Sequence, residues 1–103
     1  MTIFKATPIR SKATRNAARG QTCTMRLWCC QGGTETTVFA HSDLSIHGKA
    51  MGRKADDLFG CDCCHACHRE MHQRPKEYAE EFHRAMAETL IRRVALGVIT
   101  VKK

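Results

Sequence analysis

The sequence predicts a small α+β domain stapled by metal, with a basic helix near its N-terminus and a long helix near its C-terminus. Three observations carry that prediction. Two runs rich in β-branched and aromatic residues, TMRLW (24–28) and TETTVFAH (34–41), read as strands. Residues 76–96 repeat apolar side chains at helical spacing. Between them CDCCHACHREMH (61–72) crowds soft metal ligands into one short segment.

The chain has 103 residues, enough for one modest core, and domains of that size often add a disulfide or a metal. Its seven cysteines stand at 23, 29, 30, 61, 63, 64 and 67. The opening residues MTIFKATPI lack the apolar core of an export signal. A reducing cytoplasm is therefore the expected setting, and clustered cysteines there bind metal more often than they form disulfides. No apolar run approaches the ~20 residues of a membrane span.

The formal charge is +7, and Lys5, Arg10, Lys12, Arg15, Arg19 and Arg26 precede the first acid. Residues 1–10 are expected to form a flexible basic arm, and 11–103 a single domain. Such a charge suits a phosphate-rich partner. SKATRNAARG suggests a short basic helix from an N-cap at Ser11 to a stop at Gly20. QGG (31–33) would turn the first strand into the second, and residues 42–57, with Gly48 and Gly52, read as loop. Cys64 to Gln73 reads as a knuckle running into a helix that Pro75 ends. In the next helix Tyr78, Phe82, Met86 and Leu90 mark an apolar face, and Gly97 a C-cap before a closing strand VITV (98–101). Trp28 and Phe39 are expected in the core.

Structural zinc takes four thiolate or imidazole ligands. Cys64-x2-Cys67 is the tight pair, since two intervening residues let both sulfurs face one ion. The other pair must combine Cys23 with Cys29 or Cys30. His68 and His72, four apart on a helix, project from one face and suit a second metal. Arg19, Lys49, Arg53, Lys54 and Arg69 are candidate phosphate contacts.

A strand ending in histidine (VFAH), a loop, and a CxxCH knuckle opening a helix resemble the ββα-metal, or HNH, nuclease motif. More narrowly the chain resembles the small YbcO-like nuclease family of phages and prophages, distantly akin to a phage recombination-enhancement nuclease. AARGQTC (17–23), Cys30, ETTVFAH (35–41), AMGRK (50–54), DDLFG (56–60), CHACH (64–68) and LGVI (96–99) carry the match, in order, over roughly residues 10–100.

The resemblance implies an HNH-like fold and a metal-dependent DNA endonuclease, acting in phage recombination or DNA processing in a bacterial host's cytoplasm. It implies a structural zinc on Cys23, Cys30, Cys64 and Cys67. It implies His41 as general base, and His68 and His72 as ligands of a catalytic Mg2+ or Mn2+. Asp57 would orient His41 or ligate the metal. DNA is the implied partner, with a recombinase as a second candidate. Two departures set the alternative reading. Ala40 replaces the acid or histidine often found before the base, and the lone asparagine, Asn16, lies far upstream. A zinc-stapled nucleic-acid-binding module without nuclease activity is that alternative. Asp43 and His47 are the candidates for a missing metal ligand.

Overall fold

The computed structural model describes residues 9–102, so most of the expected basic arm lies outside the described residues. The elements run α1 (Lys12–Asn16), β1 (Val38–His41), a 3-10 turn (Ser45–His47), β2 (Gly60–Cys63), α2 (His65–Gln73) and α3 (Ala79–Ala95).

Ser11 caps α1 as its sequence suggests, its Oγ accepting from the Thr14 amide at 3.2 Å. The helix is shorter than expected. Beyond Asn16 the chain winds in tighter turns, with Arg19 N–H donating to Asn16 O at 3.2 Å, before Gly20 at φ +81°.

The strand pairing differs from the expectation. VFAH pairs antiparallel with GCDC, in the register Val38–Cys63, Phe39–Asp62, Ala40–Cys61 and His41–Gly60. TMRLW forms no strand: a single backbone bond, Thr24 N–H to Asp62 O at 2.8 Å, ties it to β2, and side chains of α3 hold the neighbouring carbonyls. Arg84 donates to the carbonyls of Thr24 at 2.8 Å and Met25 at 2.6 Å, and Arg92 to that of Thr22 at 2.6 Å. Arg26 sits at φ +51°, which reverses the chain, and forks onto Glu88 at 2.9 and 2.7 Å. Residues 23–30 thereby become a loop whose two ends can converge.

Gly60 admits no side chain. A Cβ there would lie 2.8 Å from Ala40 O and would collide with the Phe39 ring. Phe39 thus packs over the sheet and stands edge-on to His41, ring centroids 5.2 Å apart.

The core is rich in sulfur: Cys23, Met25, Cys61, Cys63, Cys64, Cys67 and Met71 are buried together with Leu27, Ala40, Phe82 and Ala85. The helical face of α3 is buried at Phe82, Ala85, Thr89 and Arg93, whereas Val94 is exposed. Arg93, fully buried, replaces an aliphatic residue in the stripe. It pairs with buried Asp62 of β2, Nη1 lying 3.1 Å from Oδ2, and its Nε donates to Thr14 O at 3.0 Å. Asp62 N–H in turn donates to Thr89 Oγ1 at 3.0 Å. One ionic node therefore joins α1, β2 and α3, and every polar atom in it has a partner, as burial requires.

Trp28 is another correction: it is 79 % exposed, its indole N–H donating to the Tyr78 hydroxyl at 3.3 Å. VITV is no strand. Instead α3 ends in a Schellman arrangement, with Gly97 N–H on Val94 O at 3.0 Å and Val98 N–H on Arg93 O at 2.9 Å. Gly97, at φ +75°, supplies the left-handed residue that this cap needs.

Candidate metal centre and histidine cleft

Cys64 and Cys67 sit at the start of α2. Cys64 is the N-cap, and its Sγ accepts the Cys67 amide at 3.5 Å. The 23–30 loop brings Cys23 and Cys30 to the same place, and all four sulfurs lie within 4.8 Å of one another. A zinc tetrahedron with bonds of about 2.3 Å has edges of about 3.8 Å, which this spacing accommodates after a small inward shift.

Cys30, not Cys29, completes the set. The Cys30 N–H closes a turn on Leu27 O at 2.9 Å, and Cys29 Sγ is directed to Ala66 O at 3.6 Å. Gln31 N–H adds a bond to Cys64 Sγ at 3.5 Å.

The surplus cysteines are buried in β2, and one of them acts on the quartet. The Cys63 thiol donates to Cys23, and with the amides of Cys64, Arg26 and Met25 this outweighs burial and lowers Cys23 to about 4. Cys63 itself is pushed up by its bonds to Cys23 and Cys61 and by burial. Cys67 is pushed up chiefly by burial. A bound divalent cation would remove that last penalty by replacing the proton. Donor type, number and spacing all fit structural zinc.

The second region lies at the end of β1. His41 Nε2 is 2.6 Å from Asp57 Oδ1. The Asp57 side chain is wholly buried, its Oδ2 accepting from the Ser11 amide at 2.6 Å and from Arg15. Burial alone would raise the Asp57 pKa. The bonds from His41, Ser11 and Arg15 outweigh it and hold the carboxyl below its usual range. An ionised Asp57 can only accept, so Nε2 of His41 is the donor in this bond, and in the neutral ring Nδ1 is the nitrogen that keeps a lone pair. Ala40 is fully buried opposite Cys61, because alternation along the strand turns it away from the face that presents His41.

His41, His68 and His72 line one cleft of about 250 Å³ together with Asp43, Lys49 and Lys54. His72 Nδ1 is 3.1 Å from Asp43 Oδ2. Burial lowers the His68 pKa, and neighbouring His72, His65 and His41 add to this against the opposing pull of Asp43. A neutral His68 retains a lone pair for a metal. Among the described residues the four cysteines alone form a converged ligand set of three or more; the histidines and Asp43 share a cleft without closing to that degree.

The other expected residues separate. Arg69 lies with His65, His68 and His72 along the exposed side of α2. Arg19 lines a different cleft, of about 510 Å³, with Arg15, Thr36 and Phe39. Arg53 closes a tight turn with Ala50 and lies outside the residues lining the histidine cleft. Of the other early cations, Arg10, Arg15 and Arg26 are engaged by Asp57 or Glu88 and so do not present free charge.

His47 points inward, stacked on Phe59 at 5.1 Å with its Nδ1 2.6 Å from Ser42 Oγ, so Asp43 is the residue of that pair that reaches the cleft. The run HSD (41–43) carried the signal, since residues two apart on an extended chain share a face. The roles of Ser11 and Arg15 in holding Asp57 had no such signal, being contacts across more than forty positions.

A cysteine-stapled α+β domain bearing a basic, histidine-lined cleft is the class that this arrangement defines. The chain belongs to the YbcO family, whose family model, described as "Putative nuclease YbcO", matches residues 12–100. A solved structure described as a putative bacteriophage protein from Escherichia coli str. K-12 substr. MG1655 is similar to it at 36% identity and a TM-score of 0.63, covering 82% of this chain and 100% of that one. No curated protein matches. No helix among the described residues is long and apolar enough to cross a membrane.

Proposed function

We propose that this chain is a metal-dependent DNA endonuclease of the HNH type, with His41 as its general base and a separate structural zinc on Cys23, Cys30, Cys64 and Cys67. The observation that carries the reading is the bond between His41 Nε2 and Asp57 Oδ1 at 2.6 Å, in a cleft walled by cations and by two further histidines. Antiparallel β1 and β2 followed directly by α2 support the HNH assignment, as does family membership.

Asp57, kept ionised by Ser11 and Arg15, orients the imidazole and stabilises it once it is charged. His41 Nδ1 takes a proton from water as the water oxygen attacks phosphorus and the bond to the leaving oxygen breaks. Lys49 and Lys54 hold the phosphate without reading the bases. His68 and His72, with Asp43 beside them, are the residues that would hold a divalent ion. Such an ion would supply polarisation of the phosphate and neutralisation of the leaving oxygen. A donor set of imidazole nitrogen and carboxylate oxygen suits Mn2+ better than Mg2+, which prefers oxygen throughout.

The test is cleavage of single- and double-stranded DNA by purified protein with each divalent ion. His41→Ala is expected to lose on the order of 10²- to 10⁴-fold in rate while keeping its zinc and its circular dichroism. Undiminished cutting by that variant overturns the assignment of the base. Salt-sensitive binding with no cutting under any ion would instead favour the binding-module reading.

A further inference from the structure

A second, apolar cleft of about 440 Å³ adjoins the histidine cleft and shares two of its wall residues, Asp43 and Lys49. Its sides are Leu44, which caps the 3-10 turn, and Ile46 within it, facing Pro75 and Ala79 at the junction of α2 and α3. Lys76 adds a further cation to its wall, and Ile46 stands 63 % exposed. The volume lies within the ~300–1,000 Å³ of clefts that accept small organic ligands.

We propose that this cleft receives an unpaired nucleobase of the same strand, next to the phosphate held at His41. The inference rests on the nuclease reading of the histidine cleft and names the substrate class: a strand that is single-stranded or locally unpaired where it is cut. The physical case has three parts. A phosphate in the first cleft leaves the adjoining nucleotide within reach of the second, because the two share a wall. Apolar side chains on both sides of a gap suit the two faces of a flat ring, while Lys49 and Lys76 suit the backbone that carries it. A base inside a duplex is stacked and paired, so it must leave the helix to enter a slot of this shape.

The experiment uses the full chain and a short single-stranded DNA containing 2-aminopurine, with Ca2+ as a divalent ion of low catalytic power. Anisotropy reads affinity, and 2-aminopurine emission reads whether the base has left its neighbours for the protein. Ala79→Trp fills the cleft, Ile46→Ser thins one wall, and neither side chain belongs to the proposed catalytic set. Removing one base–protein stacking contact is expected to weaken single-strand binding about tenfold in Ala79→Trp and a few-fold in Ile46→Ser, and to abolish the emission rise. A fully paired duplex of the same sequence should bind more weakly than the single strand.

Unchanged affinity and unchanged emission in folded Ile46→Ser and Ala79→Trp overturn the proposal. So does a change confined to self-association in sedimentation, which would assign the face to a second copy of the chain. Cleavage without the emission signature removes the base cleft and leaves the nuclease. The signature without cleavage under Mn2+ or Mg2+ keeps the cleft and removes the nuclease.

Discussion

The cysteine centre and the histidine cleft both draw on α2, through Cys64 and Cys67 at its start and His68 and His72 beyond them, yet they are built on opposite principles. The centre is closed: three of its four ligands are buried, the fourth is half-buried, and the sulfurs already converge. The cleft is open, its His72 largely exposed, and its groups share a wall without forming a finished coordination sphere. Burial explains the contrast. A structural ion is worth most where water is excluded and its ligands are ordered in advance, whereas a catalytic one needs coordination positions left for substrate. At the cleft's edge the His41–Asp57 pair is the part held from several sides, Asp57 being wholly buried and bonded by the Ser11 amide and Arg15.

Removing the metal from the closed centre should have the largest effect. Structural zinc contributes on the order of 10–16 kcal/mol in small domains. A strong chelator, or Cys67→Ser, is therefore expected to abolish cooperative unfolding, followed by circular dichroism. One zinc per chain is expected by elemental analysis. A chelated chain that still melts cooperatively would break the contrast between the two regions.

The next effect concerns the support beneath β2. Arg93→Met leaves the Asp62 carboxylate buried with only Arg92, at 3.2 Å, as a charged partner. Such a change costs about 3–5 kcal/mol, to be read from urea denaturation. A double replacement, Asp62→Asn with Arg93→Met, should recover part of the loss, because no uncompensated charge remains.

Asp57→Asn tests the buried support behind His41 in the open cleft. It should leave zinc content intact and lower the turnover rate on the order of 10²-fold with little change in KM, since the asparagine no longer favours the Nε2-protonated, charged form of His41. A loss confined to KM would mean that Asp57 serves substrate binding instead of the base.

The smallest effect is a pH dependence. Burial, then neighbouring His83, lowers the His47 pKa from its ordinary value, so the folded state prefers the neutral ring. A group of this sign stabilises the fold above its unfolded pKa of about 6.5 and loses that contribution as pH falls through the interval down to the folded value. Comparing wild type with His47→Gln at pH 7.5 and 5.5 should show a shallower decline in the variant. The four-cysteine centre is common to both proteins, so its own acid sensitivity drops out of the difference.

Local features of the chain were legible because their physics is local. The Ser11 cap, the Cys64-x2-Cys67 knuckle and the glycine ending α3 depend on neighbours within a few residues. The separation of His41 from Ala40 follows from strand alternation alone. Arg93 shows the limit: an arginine within a helical stripe reads as a surface residue until Asp62, thirty-one positions away, is known to be buried opposite it. Trp28 shows the reverse, an aromatic residue expected in the core that packing leaves outside.

By itself the sequence determined the soft-ligand knuckle at Cys64 and Cys67, the Ser11 cap and the Gly97 stop, because residue type and short spacing decide these. Only the tertiary structure decided that β1 pairs with β2, that Ser11 and Arg15 hold Asp57 against His41, and that Asp43 faces the cleft while His47 faces the core. Each of those outcomes is a competition between partners distant along the chain. It is resolved by which buried polar groups can all be satisfied at once, a condition that no local pattern encodes.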